Sequence, residues 1–188
     1  MKQIFNFWLK PGQTIDSLKL EEFGKIGIQI NIILFFISLY ASLLVPKSSM
    51  NTITKNDSLT GYLYTIVAVL FLILFFKYVF SSLLWVFSKL FQGKSTTGQI
   101  RLVVTYSLTP LLVLLPFVCI QYIKTQLFPD SSIDGTFSGL FRFVFSIIIF
   151  SYLVIGLCKV NKYSYGYGIL TVFLTGSLFE IIKLLVHR

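Results

Sequence analysis

The sequence is short of charge. Only 12% of its 188 residues are Asp, Glu, Lys or Arg, where a soluble globular domain carries about 25%. Too little polar surface remains to clothe a water-soluble globule of this size. There is one histidine, His187, and there are two cysteines, Cys119 and Cys158. A metal site of several His or Cys side chains cannot be built from these, and no cofactor is expected. Both cysteines sit in apolar stretches and read as small hydrophobes. No HExxH, paired carboxylates, Gly-x-Ser-x-Gly or phosphate loop is present, so the chain is not expected to be an enzyme. Acid is scarcer than base, 7 residues against 16, for a net charge of +9. The cations stand singly rather than in the runs that mark nucleic-acid patches, so no nucleic-acid partner is expected. Retention of cations on the cytoplasmic side of a membrane accounts for the excess.

What the sequence has is apolar bulk. It is 55% hydrophobic with 20 Phe and 10 Tyr, and its mean hydropathy is +0.83. Disorder is excluded and a membrane is implied. A helix crossing the hydrocarbon needs about 20 mostly apolar residues. Residues 26–45, 61–88, 102–123, 137–157 and 165–186 each satisfy this. The expected fold is all-α: a polytopic membrane domain over 26–188 with five transmembrane helices, behind a cytoplasmic leader over 1–25.

In the leader, Ile4, Phe5, Phe7 and Trp8 are followed at once by Lys10, Pro11 and Gly12. The apolar stretch is too short for a signal peptide and lacks a small-residue cleavage site. It predicts an amphipathic interfacial segment, with Trp8 and the Phe pair at headgroup depth and Lys2 and Lys10 reaching lipid phosphates. Pro11 and Gly12 mark a turn, and residues 14–25 a second short helix.

With five spans, nine cations fall on the leader's side: Lys2, Lys10, Lys19, Lys25, Lys89, Lys94, Arg101, Lys159 and Lys162. Six fall opposite: Lys47, Lys55, Lys124, Arg142, Lys183 and Arg188. The bias predicts the N-terminus inside and the C-terminus outside.

Charges within spans are costly, about 2.5–3.5 kcal/mol at a helix centre. Arg142 and Glu180 each fall about 8–9 Å below the outer boundary, on consecutive antiparallel helices. The spacing predicts an ion pair between them, with Lys183 as the rival partner at i+3. Lys77, counted from residue 61, lies about 24 Å deep. It is read as snorkelling inward, with the lining of a polar path alongside Gln121 as the functional alternative. Asn31, Gln29 and Gln121 are interhelical hydrogen-bond candidates. Pro110 and Pro116 predict kinks in the third span, with Thr105, Ser107 and Thr109 near enough to satisfy freed backbone groups. Ser164, Gly168 and Gly176 form a small-residue stripe for close helix packing, within the chain or between two copies.

Three segments carry a family resemblance. FWLKPGQTIDSL (7–18), LFQGKSTTGQIRLVVTYSLTPLLV (90–113) and IGLCKVNKYSYGYGILTVFL (155–174) resemble the Yip (Ypt-interacting protein) domain family. They match its leading amphipathic stretch, its Gly-Lys-Ser loop before a Tyr-Ser-x-x-Pro span, and its link between spans four and five. The short leader and the absence of an Asp-Leu-Tyr-Gly-Pro motif look like the bacterial branch rather than the eukaryotic branch, whose members take part in vesicle traffic and bind Rab-type GTPases. Gly93-Lys94-Ser95 is not a nucleotide site, because the upstream Gly of a phosphate loop is replaced by Ser88.

The resemblance implies a non-enzymatic scaffold or accessory subunit in the bacterial cell membrane. It would work through helix–helix and lipid contacts, with another membrane protein or a second copy as partner. Trp8, Lys10 and Pro11 would anchor the leader, and Arg142 with Glu180 would lock spans four and five. The alternatives are a small transporter or channel with a polar path near Lys77, Gln121 and Glu180, and a partner subunit of an export ABC transporter in envelope stress defence.

Overall fold

In hydrocarbon a chain must satisfy its backbone internally, and apolar stretches of this length do so as helices. The computed structural model describes residues 2–17, 23–43, 58–127 and 135–186, and among these there is no strand. The leader forms α1 (Lys2–Leu9) and α2 (Pro11–Ser17). Helix α3 (Phe23–Leu43) follows, then α4 (Ser58–Leu74), which runs through a π-helical turn (Phe75–Phe80) into α5 (Ser81–Leu90). Helices α6 (Thr97–Ser107), α7 (Leu111–Leu127), α8 (Gly135–Asn161) and α9 (Tyr165–Val186) complete the described chain.

Three stretches are long and apolar enough to cross a membrane: Leu63–Leu90, Phe143–Asn161 and Tyr165–Leu185. Helices α6 and α7 make a fourth when their pieces, bent by 45°, are taken as one broken span. The described apolar stretch of α3, Gly27–Ala41, is shorter than these. The architecture is thus all-helical, with three or four crossings by this measure.

Helix α6 is the centre of the bundle. Its residues from Leu102 to Ser107 are all buried, and it packs against α3, α5 and α8. Small side chains set the spacing. A Cβ at Gly156 would stand 2.5 Å from Val103 Cγ1, so α8 lies close on α6. A Cβ at Gly168 would stand 2.5 Å from Cys158 Sγ, so α9 lies close on α8. The outward faces of α4 and α9 expose Leu63, Phe71, Phe173 and Leu184, as lipid-facing helices do.

The bend between α6 and α7 falls at Pro110, which has no N–H to give the carbonyl of Tyr106. Thr109 fills the vacancy: its hydroxyl donates to that carbonyl at 2.6 Å and its N–H at 3.2 Å. Tight turns then restart the helix, with the Leu111 N–H donating to Leu108 and that of Val113 to Pro110. Pro116 lies inside α7, which continues through it.

The leader differs from its sequence reading. Phe7 is wholly buried and belongs to the main core. Trp8 is half-buried against the same core, while Lys10 is exposed and Pro11 partly so. An amphipathic face can serve protein as well as lipid, and here α2 packs on α8. Tyr152, which binds Trp8, lies nine residues before the end of α8 at Asn161, about 13 Å along that helix. Phe7 and Trp8 therefore pack into the bundle, against protein.

Candidate functional site

Helix α5 ends in a turn where the N–H of Gln92 donates to Lys89 and that of Gly93 donates to Ser88, at 3.0 and 2.9 Å. This is the Schellman pattern, in which a left-handed residue normally glycine precedes the last donor. Here Gln92 takes the left-handed conformation, with φ 58°. The glycine stands one residue later because of space. A Cβ at Gly93 would collide with Asn161 Oδ1 and lie 2.8 Å from the Ser88 carbonyl oxygen.

Asn161 is the hub. It is the last residue of α8 and 1% exposed. Its Oδ1 accepts from the Ser95 hydroxyl at 2.6 Å and the Ser95 N–H at 3.3 Å. Its Nδ2 donates to Ser88 Oγ at 3.3 Å and to the Leu157 carbonyl at 3.0 Å. Its own carbonyl accepts from the Lys94 N–H at 3.4 Å. One carboxamide at the end of α8 thus holds the loop from Gly93 to Ser95 from beneath.

Two further contacts close the loop from its sides. The Trp85 indole N–H donates to the Ser95 carbonyl at 3.2 Å, and Lys89 Nζ donates to the Gly93 carbonyl at 2.8 Å. Thr96 then starts α6 with a capping box. Its hydroxyl accepts from the Gln99 N–H, and its N–H donates to Gln99 Oε1 at 2.8 Å. The loop's polar backbone is occupied inward, while the side chains of Gln92, Lys94 and Thr96 are exposed. Phe91 stacks on Tyr167 of α9 with centroids 5.2 Å apart. In the link between α8 and α9, burial pushes the Tyr163 phenol above its ordinary value, so the group stays neutral. Its oxygen lies 3.3 Å from Thr171 Oγ1.

A second lock joins the leader to the Pro110 break. The Trp8 indole N–H donates to Thr109 Oγ1 at 2.7 Å, the same hydroxyl that donates to the Tyr106 carbonyl. The Tyr152 hydroxyl donates to the Trp8 carbonyl at 2.7 Å. Phe7 lies between the rings of Tyr106 and Tyr152, 5.4 Å from each. The arrangement makes two fixed structures, a clamped loop and a docked leader. Among the described residues no three His, Cys, Asp or Glu side chains gather where they could hold a metal ion.

Much of these two locks, including Trp8, Ser95, Thr109 and Asn161, lies in the segments that carried the family resemblance, and a comparison of the whole chain agrees. The family model for the Yip1 domain matches residues 5–184. The chain belongs to the Yip1 domain family. No curated protein and no solved structure matches it. This Yip1-domain protein is an integral membrane protein with apolar, membrane-crossing helices.

The remaining expected residues fall in several places. Lys77 lies in the π-helical turn, and its Nζ donates to Asn31 Oδ1 on α3 at 2.8 Å. Phe179, next to Glu180, touches Phe75 and Phe80 at 5.3 and 6.1 Å between centroids. Glu180 therefore sits level with the turn that carries Lys77, against the depth difference expected from the sequence. Glu180 nevertheless pairs along its own helix, with Lys183 Nζ 3.7 Å away and both side chains largely exposed. The side chains of Arg142 and Gln121 lie outside the described residues. The small-residue stripe divides: Gly168 meets α8, whereas a Cβ at Gly176 would meet nothing within 4 Å. Gln29 Oε1 lies 3.5 Å from the Tyr106 hydroxyl, a long contact.

Sequence reasoning missed Asn161, Ser88 and Trp85. The signals available were Thr96-x-x-Gln99, a capping-box pattern, and a lone Asn closing a long apolar run.

Proposed function

We propose that this Yip1-domain protein is a non-enzymatic membrane scaffold or accessory subunit of the bacterial cell membrane, whose working surface is the clamped inner loop. The observation that carries this is the Asn161 hub. A loop whose backbone is bonded inward at Gly93, Lys94 and Ser95 presents Gln92, Lys94 and Thr96 in fixed positions. Fixed positions reduce the ordering cost a partner must meet.

In this reading the chain crosses five times, with the leader and the loop inside and the C-terminus outside. The bundle packing of α3 supports the fifth crossing, since Ile30, Leu34 and Ile37 are buried and the helix lies along α4 and α7. The expected Arg142–Glu180 pair competes with the exposed Glu180–Lys183 contact, and Glu180→Gln with and without Arg142→Gln decides between them.

The test is a photo-crosslinking residue at Lys94 in native membranes, with one at the outward-facing Phe173 as the comparison. Discrete protein adducts from position 94 and none at 173 are expected. Equal patterns at both positions would refute a loop-centred docking surface. A reporter fused at the C-terminus and active only in the cytoplasm would refute the five-crossing orientation.

A further inference from the structure

We propose that Arg101, Lys77 and Asn31 form a membrane-facing site for the phosphate of an anionic phospholipid. Both cations belong to the membrane-embedded part of the chain, where an uncompensated charge is costly. Lys77 Nζ lies 5.4 Å and Arg101 Cζ 4.8 Å from the centroid of the same ring, Tyr78. A ring face attracts a cation but cancels no charge. The ion pair found among the described residues, Glu180 with Lys183, involves neither of them.

Neither has a charged partner among the described residues. Lys77 donates to a neutral carboxamide, Asn31 Oδ1, at 2.8 Å. Arg101 Nε is buried and has no hydrogen-bond partner, although a buried charged donor ordinarily finds one. A phosphate supplies what both groups lack. It brings negative charge, and its oxygens match the guanidinium fork while accepting from an ammonium. The π-helical turn holds Lys77 and Tyr78 in this arrangement, and such turns recur at functional positions in helices.

Exposure points to lipid as the source. Tyr78 is 44% exposed and stands between Leu74 at 56% and Val79 at 47%. These are apolar surfaces of a membrane-crossing helix. The site opens sideways onto acyl chains rather than into the polar loop. Arg101 lies about 6 Å along α6 from its start, with its guanidinium turned to the Tyr78 ring. A phospholipid would place its phosphate on the two cations and its chains along Leu74 and Phe71.

The experiment is native mass spectrometry of the full-length protein released from nanodiscs of phosphatidylglycerol and phosphatidylcholine in equal parts. Retained phosphatidylglycerol should exceed phosphatidylcholine by about fivefold for each cation engaged. Arg101→Gln and Lys77→Gln should each lose their share, and the double variant should lose the preference. Lys183→Gln, outside the site, should keep it. Arg101→Lys should fall between wild type and Arg101→Gln, because it keeps charge without the fork. Equal retention of the two lipids by the wild-type protein overturns the proposal whether or not the variants fold. Undiminished preference in the double variant overturns it as well. In a parallel melting experiment in detergent, added phosphatidylglycerol should stabilise the protein and inorganic phosphate should not. Equal stabilisation by both would make this a soluble-anion site and overturn the lipid assignment.

Discussion

Asn161→Leu keeps the side-chain volume near that of the original and removes one carboxamide. The substitution leaves two donors of Ser95 stranded, its N–H and its hydroxyl, both of which now end on Asn161 Oδ1. A buried donor without a partner costs about 1–3 kcal/mol. The Ser95 hydroxyl can turn toward another acceptor, so the total expected is about 3 kcal/mol. Ser88 loses less, because its hydroxyl still donates to the Leu84 carbonyl at 2.6 Å. At 1.4 kcal/mol per factor of ten, opening of the loop should become on the order of 100-fold more frequent. Trypsin cleavage after Lys94 in detergent reads that opening directly, provided cleavage is slow relative to reclosing. Ser95→Ala removes one of the stranded donors in advance. The double variant should therefore lose less than the two single losses added together. A cleavage rate for Asn161→Leu within about threefold of wild type would mean the bonds contribute below roughly 0.7 kcal/mol. Strict additivity with Ser95→Ala would likewise remove Asn161 from the centre of the lock.

Gly93→Ala should destabilise by several kcal/mol, about 1–3 for overpacking plus loss of bonds to the displaced Asn161, whereas Gln92→Gly should stabilise by about 0.5–1 kcal/mol by relieving a left-handed glutamine. Melting curves of the two variants should move in opposite directions; a Gly93→Ala protein melting at or above wild type would show that the loop does not need its glycine at 93. Trp8→Phe should cost about 1 kcal/mol for the bond to Thr109, and Thr109→Val should cost more because it also removes the hydroxyl's bond to the Tyr106 carbonyl, leaving that oxygen only the backbone N–H at 3.2 Å; thiol labelling of a cysteine introduced at the leader reads its release, and equal labelling of both variants and wild type would show the leader is not held there. Glu180→Gln should change stability by less than about 0.5 kcal/mol, since its Lys183 pair is exposed on one helix. A larger loss in detergent melting, recovered by Arg142→Gln, would instead make Arg142 the partner of Glu180.

Composition was enough to read the helical membrane class, because a chain with 12% charged and 55% hydrophobic residues has few other ways to fold. The Gly-Lys-Ser loop and the Pro110 break were visible as motifs. Their partners were not. Asn161 sits in sequence 66 residues from Ser95 and 73 from Ser88, and nothing in the periodicity of an apolar run says which way its last carboxamide turns. The leader's protein contacts were hidden for a different reason. Its amphipathic face has the same composition whether it meets acyl chains or Tyr106 and Tyr152. That Lys77 and Glu180 share a level was hidden because it depends on how α9 lies against the π-helical turn, where Phe179 rests on Phe75 and Phe80.

The two locks are not independent features that happen to share a bundle. The leader is held by Thr109, beside the C-terminal end of α6, and by Tyr152 on α8; the loop is held by Thr96 and Gln99 at the N-terminal end of α6 and by Asn161 at the end of α8. Between them α6 and α8 are packed at the contact of Val103 and Gly156, where no further carbon fits, and Ile15 of the leader lies against the same glycine, 3.3 Å from its would-be Cβ. A close-packed pair of this kind transmits displacement rather than absorbing it. Anything that lifted the leader would have to disturb Ile15 and Thr109, and through them the register of α6 on α8 that sets the distance from Ser95 to Asn161. A larger side chain at Gly156 should therefore loosen both locks at once, raising cleavage after Lys94 and thiol labelling of the leader together. Loss of only one of the two would show that the loop and the leader are fastened to the bundle separately.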